Sequence, residues 1–193
     1  MRNVFYYNTL IGKLRIEEED NVIVGVSVLD GNELEQGNDS EMGNESEQGN
    51  DSKQRKDSNR INERKHKKGS DRIKETDLIK TTYVQLMEYF DGKRTTFDVP
   101  IRLEGSSFQT KVWEELRKIP YGETRSYGEI AKMVGVPKGA RAVGGANHNN
   151  PILIIVPCHR VIGSSGSLVG FGAGIPVKEM LLKLENKEIE TKC

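Results

Sequence analysis

The sequence predicts an α+β protein: a small N-terminal α/β domain, made of a β-hairpin sheet plus a helix, then a mainly helical C-terminal domain with a helix-turn-helix. Three observations predict it. Apolar residues at Val4, Tyr6, Leu10, Leu14 and Ile16 and in the run Val22–Leu29 are separated by turn residues, which is a strand pattern. Beyond Gly105 the apolar spacing becomes helical and is punctuated by caps. Two of those helices are joined by a short Gly-containing turn. A chain of 193 residues holds one ordinary domain or two small ones. The boundaries are set at 1–104 and 105–187, with a tail at 188–193.

Taken in order, Asn8–Gly12 and Glu19–Asn21 read as the turns of the N-terminal β unit. From Gly31 to Ser70 the only large apolar residues are Leu34, Met42 and Ile61, and there is no aromatic. The hexapeptide Glu-Gln-Gly-Asn-Asp-Ser occurs at Glu35–Ser40 and again at Glu47–Ser52. The first half of the segment is acidic and the second half, from Lys53 to Lys68, basic. Such a stretch cannot bury enough surface to offset chain entropy, so 31–70 is expected to be a disordered insertion. Order resumes with Thr76 or Asp77 as a helix cap and apolar positions Ile79, Tyr83, Leu86, Met87 and Phe90, ending at Gly92. Phe97, Val99, Ile101 and Leu103 alternate as a strand, but Pro100 marks it as an edge or a connector.

Ser106–Gln109 is a capping box that opens a helix with Phe108, Val112, Leu116 and Ile119 on one face, broken at Pro120-Tyr121-Gly122. Ser126–Glu129 is a second capping box, starting a short helix that ends at Gly135. Pro137 is placed at the first position of a third helix running to Ala146. Ile152–Val156 reads as a buried strand, stopped by Pro157. Pro176 opens the last helix, with Val177, Met180, Leu181 and Leu184 inward.

Charge is balanced overall, with 29 basic and 29 acidic residues, but not locally. Between Ile130 and Val177 there is no Asp or Glu, while Lys132, Lys138, Arg141 and Arg160 are present. Such an acid-free stretch points to a polyanion partner, against the plainer reading of a solvated face. The helix carrying Arg141 is otherwise mostly Gly and Ala. That suits close, sequence-indifferent approach to a DNA groove with the arginine inserted, although small residues also permit tight packing inside the protein.

Composition limits the chemistry. Two cysteines, Cys158 and Cys193, form neither a disulfide framework nor a CxxC pair, and three histidines complete a poor set of zinc ligands. No metal and no cofactor are expected. The N-terminus lacks a signal peptide's apolar core, and no run is long enough to span a membrane, so a cytoplasmic protein is expected, nuclear in a eukaryote. Cys158 stands beside His159, a soft nucleophile next to a residue able to take its proton, at the tip of the expected strand.

The motif Pro157-Cys-His-Arg-Val161, with Arg141-Ala-Val-Gly-Gly-Ala146, Asn150-Pro151, Ser126-Tyr127 and Val177-Lys178-Glu179, resembles the O6-alkylguanine-DNA alkyltransferases, the methylated-DNA–protein-cysteine methyltransferases. The likeness is strong from Gly105 to about Glu185 and weaker over the N-terminal β unit, where Asn8–Leu14 resembles the opening hairpin. It implies a monomer that binds double-stranded DNA and flips out O6-alkylguanine, with O4-alkylthymine a second substrate. The alkyl group is then transferred irreversibly to Cys158. Flipping is needed because the reacting atom is inaccessible in a stacked pair. The resemblance assigns catalytic roles to Cys158, His159, Glu185, Asn150 and Tyr127. It assigns DNA contacts to Arg141, Lys138, Ala140, Gly144, Ser126 and Arg160, and the substrate pocket to Val161, Pro157, Phe171, Gly172 and Ser164. Read from the residues alone, a glutamate placed like Glu185 is more often a solvated helix position, Tyr127 is equally a core residue and Asn150 a plain turn. Phe171 departs from the tyrosine common in relatives and loses a hydroxyl. Some relatives hold zinc on N-terminal cysteines, which this chain lacks. The competing readings are a non-catalytic sensor of alkylated DNA, a helix-turn-helix regulator and, last, a cysteine hydrolase.

Overall fold

The structure, a computed structural model, describes residues 1–29 and 71–186. The insertion 31–70 and the terminal Cys193 lie outside the described residues. Strands β1 (Arg2–Thr9), β2 (Gly12–Glu19) and β3 (Val22–Leu29) form an antiparallel meander. Asp20 and Asn21 make the second turn with φ of 54° and 60°. This is the left-handed pair that a two-residue hairpin requires, and Asp and Asn tolerate it best after glycine. A bulge between Glu17 and Glu18 shifts the register against β3. The short β4 (Arg72–Ile73) adds in parallel beside β1, giving the order β3-β2-β1-β4.

Helix α1 (Asp77–Phe90) packs on this sheet, and Thr76 caps it by accepting from the amide of Ile79 at 3.2 Å. Its buried face consists of Ile79, Thr82, Gln85, Leu86, Tyr89 and Phe90. Tyr83 and Met87, placed on that face from the sequence, are only partly buried. The expected strand 97–103 is a connector: only Ile101 bridges to Ile23, between Ile23 N–Pro100 O and Arg102 N–Ile23 O hydrogen bonds of 2.9 Å. Proline withholds the donor a continuing ladder would need.

Helix α2 (Ser107–Leu116) and helix α3 (Tyr127–Met133) both start in complete capping boxes, at Ser106/Gln109 and Ser126/Glu129. Such a cap is worth about 1 kcal/mol. Ile119 is buried, as expected of an apolar residue there, but in the turn after α2. Helix α4 begins later than the sequence predicts, spanning Ala140–His148 with Gly139 as its cap. Pro137 and Lys138 lie instead in a turn closed by Gly139 N to Val136 O at 2.7 Å. Pro137 suits the fixed φ of a turn's second residue as well as that of a helix start. Trp113 of α2, 1% exposed, donates from Nε1 to the Ala146 carbonyl at 2.8 Å and locks α2 to α4.

Ile152–Val156 is buried apart from half-buried Ile155, but it is not a strand. Ile152 makes one bridge to Val26 of β3 and the chain then turns, with Ile154 at φ 72° and Val156 N bonded to Ile152 O at 3.0 Å. A β-branched residue in the left-handed region is strained and persists only where the surrounding structure holds it. The short 3-10 helix Cys158–Arg160 follows, then β6 (Val161–Ile162). β6 pairs in parallel with β5 (Arg125–Ser126), immediately before α3. Helix α5 (Ile175–Glu185) closes the fold with Pro176 in its first turn. Its buried face is Lys178, Leu181, Leu182 and Glu185, with Val177, Met180 and Leu184 only partly buried. One apolar core runs from Leu14, Ile16 and Ile23 of the sheet through Trp113 to Val161 and Leu181. Among the described residues no helix is long and apolar enough to cross a membrane.

Candidate active site

The reactive end of the molecule is assembled where the strained turn hands the chain to the 3-10 helix. Cys158 is 2% exposed and His159 wholly buried. Asn150, just past α4, braces the turn on both sides. Its Oδ1 accepts from Ile152 N at 3.0 Å, while its Nδ2 donates to Val156 O at 2.8 Å and to Cys158 Sγ at 3.0 Å. A buried amide donor aimed at sulfur favours the thiolate over the thiol. Asn147 of α4 reaches the Cys158 carbonyl at 3.5 Å.

His159 Nε2 lies 2.8 Å from Glu185 Oε1, across from α5. Glu185 is buried, not a solvated helix end. It also accepts from Arg160 Nε at 2.8 Å and Arg160 Nη2 at 2.9 Å, from Tyr89 Oη at 2.6 Å and from the Gly122 amide at 3.2 Å. Burial opposes its ionisation, but the hydrogen bonds from His159 and Arg160 prevail and hold its carboxyl at about 2. Burial pulls His159 below its ordinary value, only partly opposed by Glu185. It is therefore held as a neutral imidazole at neutral pH. With Nε2 facing a carboxylate, the ring proton is assigned to Nε2 and the lone pair to Nδ1. No described protein group occupies Nδ1.

Arg160 departs from the expected role. It is 6% exposed, bidentate to Glu185, and donates from Nη1 to Ile119 O at 2.6 Å. A guanidinium so engaged has no freedom to meet a phosphate, so Arg160 leaves the DNA-contact set and becomes a buried brace. Lys138 and Arg141, by contrast, are exposed on the turn before α4 and on α4 itself. Ala140 and Gly144 are half-buried, and a Cβ at Gly144 would lie 3.9 Å from the Tyr127 ring. Ser126 uses its hydroxyl in its own cap, accepting from Glu129 N at 3.2 Å and donating to Glu129 Oε2 at 2.8 Å.

Tyr127 donates to Val169 O at 2.9 Å, tying α3 to the loop before α5. Burial, and then Cys158, push its phenol above the ordinary value, so it keeps its proton. Phe171 presents an edge to His159, with ring centroids 6.4 Å apart. Pro157 and Val161, on either side of the Cys158–Arg160 helix, are buried, whereas Ser164 and Gly172 are exposed between β6 and α5.

Lys178 was passed over as a site residue. It has no exposed surface, donates to Val161 O at 2.6 Å and Val169 O at 2.9 Å, and lies 5.8 Å from the Tyr127 ring centroid. Burial lowers it to about 8, against an opposing pull from Cys158. The carbonyl of Val161, a residue expected to line the substrate pocket, is thus already held by an ammonium. Tyr89 was missed as well. An aromatic one position from an apolar stripe reads as core, and nothing local reports that its hydroxyl meets a glutamate 96 residues away.

Known proteins resemble this chain over both of its halves. Residues 4–103 match the family profile of the 6-O-methylguanine DNA methyltransferase ribonuclease-like domain, and 107–187 match that of its DNA-binding domain. The chain is 54% identical over 113 residues to the methylated-DNA–protein-cysteine methyltransferase of Methanosarcina acetivorans, covering 58% of this chain and 72% of that one. The crystal structure of Mycobacterium tuberculosis O6-methylguanine methyltransferase superposes with TM-score 0.72 at 38% identity, covering 100% of this chain and 97% of that one. The M. tuberculosis OGT crystallised in complex with DNA does so with TM-score 0.72 at 39% identity over 96% of this chain and 93% of that one. With both halves matched and the cysteine, histidine and glutamate brought together, this chain belongs to the 6-O-methylguanine DNA methyltransferase family.

Proposed function

We propose that this chain repairs double-stranded DNA by flipping out O6-alkylguanine, with O4-alkylthymine a second substrate, and accepting the alkyl group on Cys158 once and irreversibly. The observation that carries the reading is the buried relay: Cys158 Sγ at 3.0 Å from Asn150 Nδ2, and His159 bonded through Nε2 to Glu185 at 2.8 Å. His159 Nδ1, which no described protein group reaches, takes the thiol proton through one intervening water. The resulting thiolate attacks the alkyl carbon, forming the S–C bond while the C–O6 bond breaks. The electron pair passes to the purine, which needs a proton or a hydrogen bond, the role given to Tyr127. A soft, strong nucleophile is required because the leaving group is poor. A thioether has no acidic proton and no easy leaving group, so nothing in the site reverses the step.

DNA meets the face of α3 and α4. There Lys138 and Arg141, inside the stretch from Ile130 to Val177 that holds no Asp or Glu, offer charge, and half-buried Ala140 and Gly144 allow close approach. Arg141 is given the space left by the extruded base. Val161, Pro157, Phe171, Gly172 and Ser164 form the pocket, with Lys178 holding its Val161–Val169 wall. The division at 104/105 separates this unit from the N-terminal one, and the protein acts as a monomer.

A duplex containing O6-methylguanine is expected to add one methyl group to the Cys158 peptide, read by mass spectrometry, and none in Cys158→Ser. A folded parent protein whose Cys158 peptide stays unmodified overturns the reading.

A further inference from the structure

We propose that Tyr89, on helix α1 of the N-terminal unit, is a positioning residue for alkyl transfer: its hydroxyl, 2.6 Å from Glu185 Oε1, sets how strongly that carboxylate engages His159. The inference rests on the relay assigned to His159 and Glu185 above.

Tyr89 has no exposed surface. Its ring is fixed from both halves of the molecule, by Phe97 with centroids 5.6 Å apart and by Tyr121 edge-on at 6.2 Å. That clamp aims the hydroxyl at Glu185 Oε1 and leaves it 3.4 Å from His159 Nε2. Packing alone would be served by phenylalanine, and a buried hydroxyl is costly unless it is bonded. The bond it makes is short and charge-assisted, the stronger kind.

Oε1 is shared by three donors: Tyr89 Oη, His159 Nε2 and Arg160 Nη2. Each disperses part of the carboxylate charge. While Tyr89 donates, less of that charge is left to stabilise a protonated His159, and the imidazole stays a neutral base to lower pH. The charged and titratable groups around the pair are Arg160 of the 3-10 helix, which opposes protonation of His159, and Lys178 of α5, which does the same. Cys158 and Tyr121 complete the set. Burial, and then Glu185, push the Tyr89 phenol well above its ordinary value, so it remains a donor across the working range. The N-terminal unit thereby supplies one group to the reaction centre of the other unit.

The test is full-length Tyr89→Phe, with single-turnover methyl transfer from an O6-methylguanine duplex measured between about pH 5 and 9. Transfer is expected to slow about five- to fifty-fold at pH 7, with the acid limb of the profile moving up by about half a unit or more. Ile79→Val, which opens a small cavity in the buried face of α1 ten residues from Tyr89, is expected to lower the melting temperature and leave the limb in place. A Tyr89→Phe protein with the parent rate and limb overturns the inference, as does an Ile79→Val protein whose limb moves equally. Glu185→Gln separates the two claims. If it too transfers at the parent rate, the relay itself is wrong; if it is impaired while Tyr89→Phe is not, only the role of Tyr89 falls.

Discussion

Replacing Arg160 by Met tests whether this arginine is a brace or a DNA contact. In the structure its guanidinium makes three hydrogen bonds, two to Glu185 at 2.8 and 2.9 Å and one to the Ile119 carbonyl at 2.6 Å. Both partners are at least nine-tenths buried, so removal leaves a carboxylate without its counter-charge. Breaking one side of such a pair costs about 3–5 kcal/mol. For a protein of this size each kcal/mol shifts the melting temperature by roughly 2–4 °C, so a fall of about 6–20 °C at pH 7 is expected. The loss depends on pH with a definite sign. Glu185 is held at about 2, below its ordinary 4.5, so its stabilisation is complete above pH 4.5 and disappears as pH falls toward 2. The gap between parent and variant therefore narrows over that window. Salt dependence supplies the second axis: the slope of log affinity against log salt for duplex DNA is expected to be unchanged in Arg160→Met. In Arg141→Ala or Lys138→Ala it is expected to be shallower by about one, as for a lost phosphate contact. An Arg160→Met protein that melts with the parent and binds with a shallower slope refutes the buried-brace reasoning.

Two other changes probe the rest of the site. Lys178→Met removes a buried ammonium lowered to about 8 from 10.5. Folded protein binds fewer protons than unfolded between those values, so parent stability should gain a rising component from about pH 8 to 10.5 that the variant lacks, seen in denaturant melts. Asn150→Ala removes donors to Val156 O and Cys158 Sγ and the acceptor of Ile152 N. A loss of about 2–4 kcal/mol is expected, with methyl transfer slowed at least about tenfold because both turn and thiolate lose support. An Asn150→Ala protein with parent stability and rate would mean the turn holds itself.

Local chemistry was legible where neighbours in sequence are neighbours in space. The capping boxes at Ser106 and Ser126, the Asp20-Asn21 turn and the Thr76 cap each depend on residues within one turn of backbone, so they could be read directly. Misreadings arose where a partner is remote. Ile152–Val156 is apolar enough for a strand, but a ladder needs a second strand alongside, and β3 offers only one bridge before Ile154 turns the chain. Pro137 fits either a helix start or a turn, and the choice went to the turn that Gly139 closes. The inward face of α5 was misplaced because only its apolar residues were assigned inward, whereas Lys178 and Glu185 are among its buried residues.

By itself the sequence determined the α+β class, the order of the helices after Gly105, and the pairing of a cysteine nucleophile with a histidine inside an acid-free segment. These follow from spacing, capping and charge, which are properties of the chain alone. The tertiary structure decided the electrostatics of the site. It placed Arg160 on Glu185 instead of on the surface, put Lys178 against two carbonyls, and carried Tyr89 across from α1 to the same carboxylate. A buried charge is tolerable only where folding supplies its partners, and those partners come from segments far apart in the sequence.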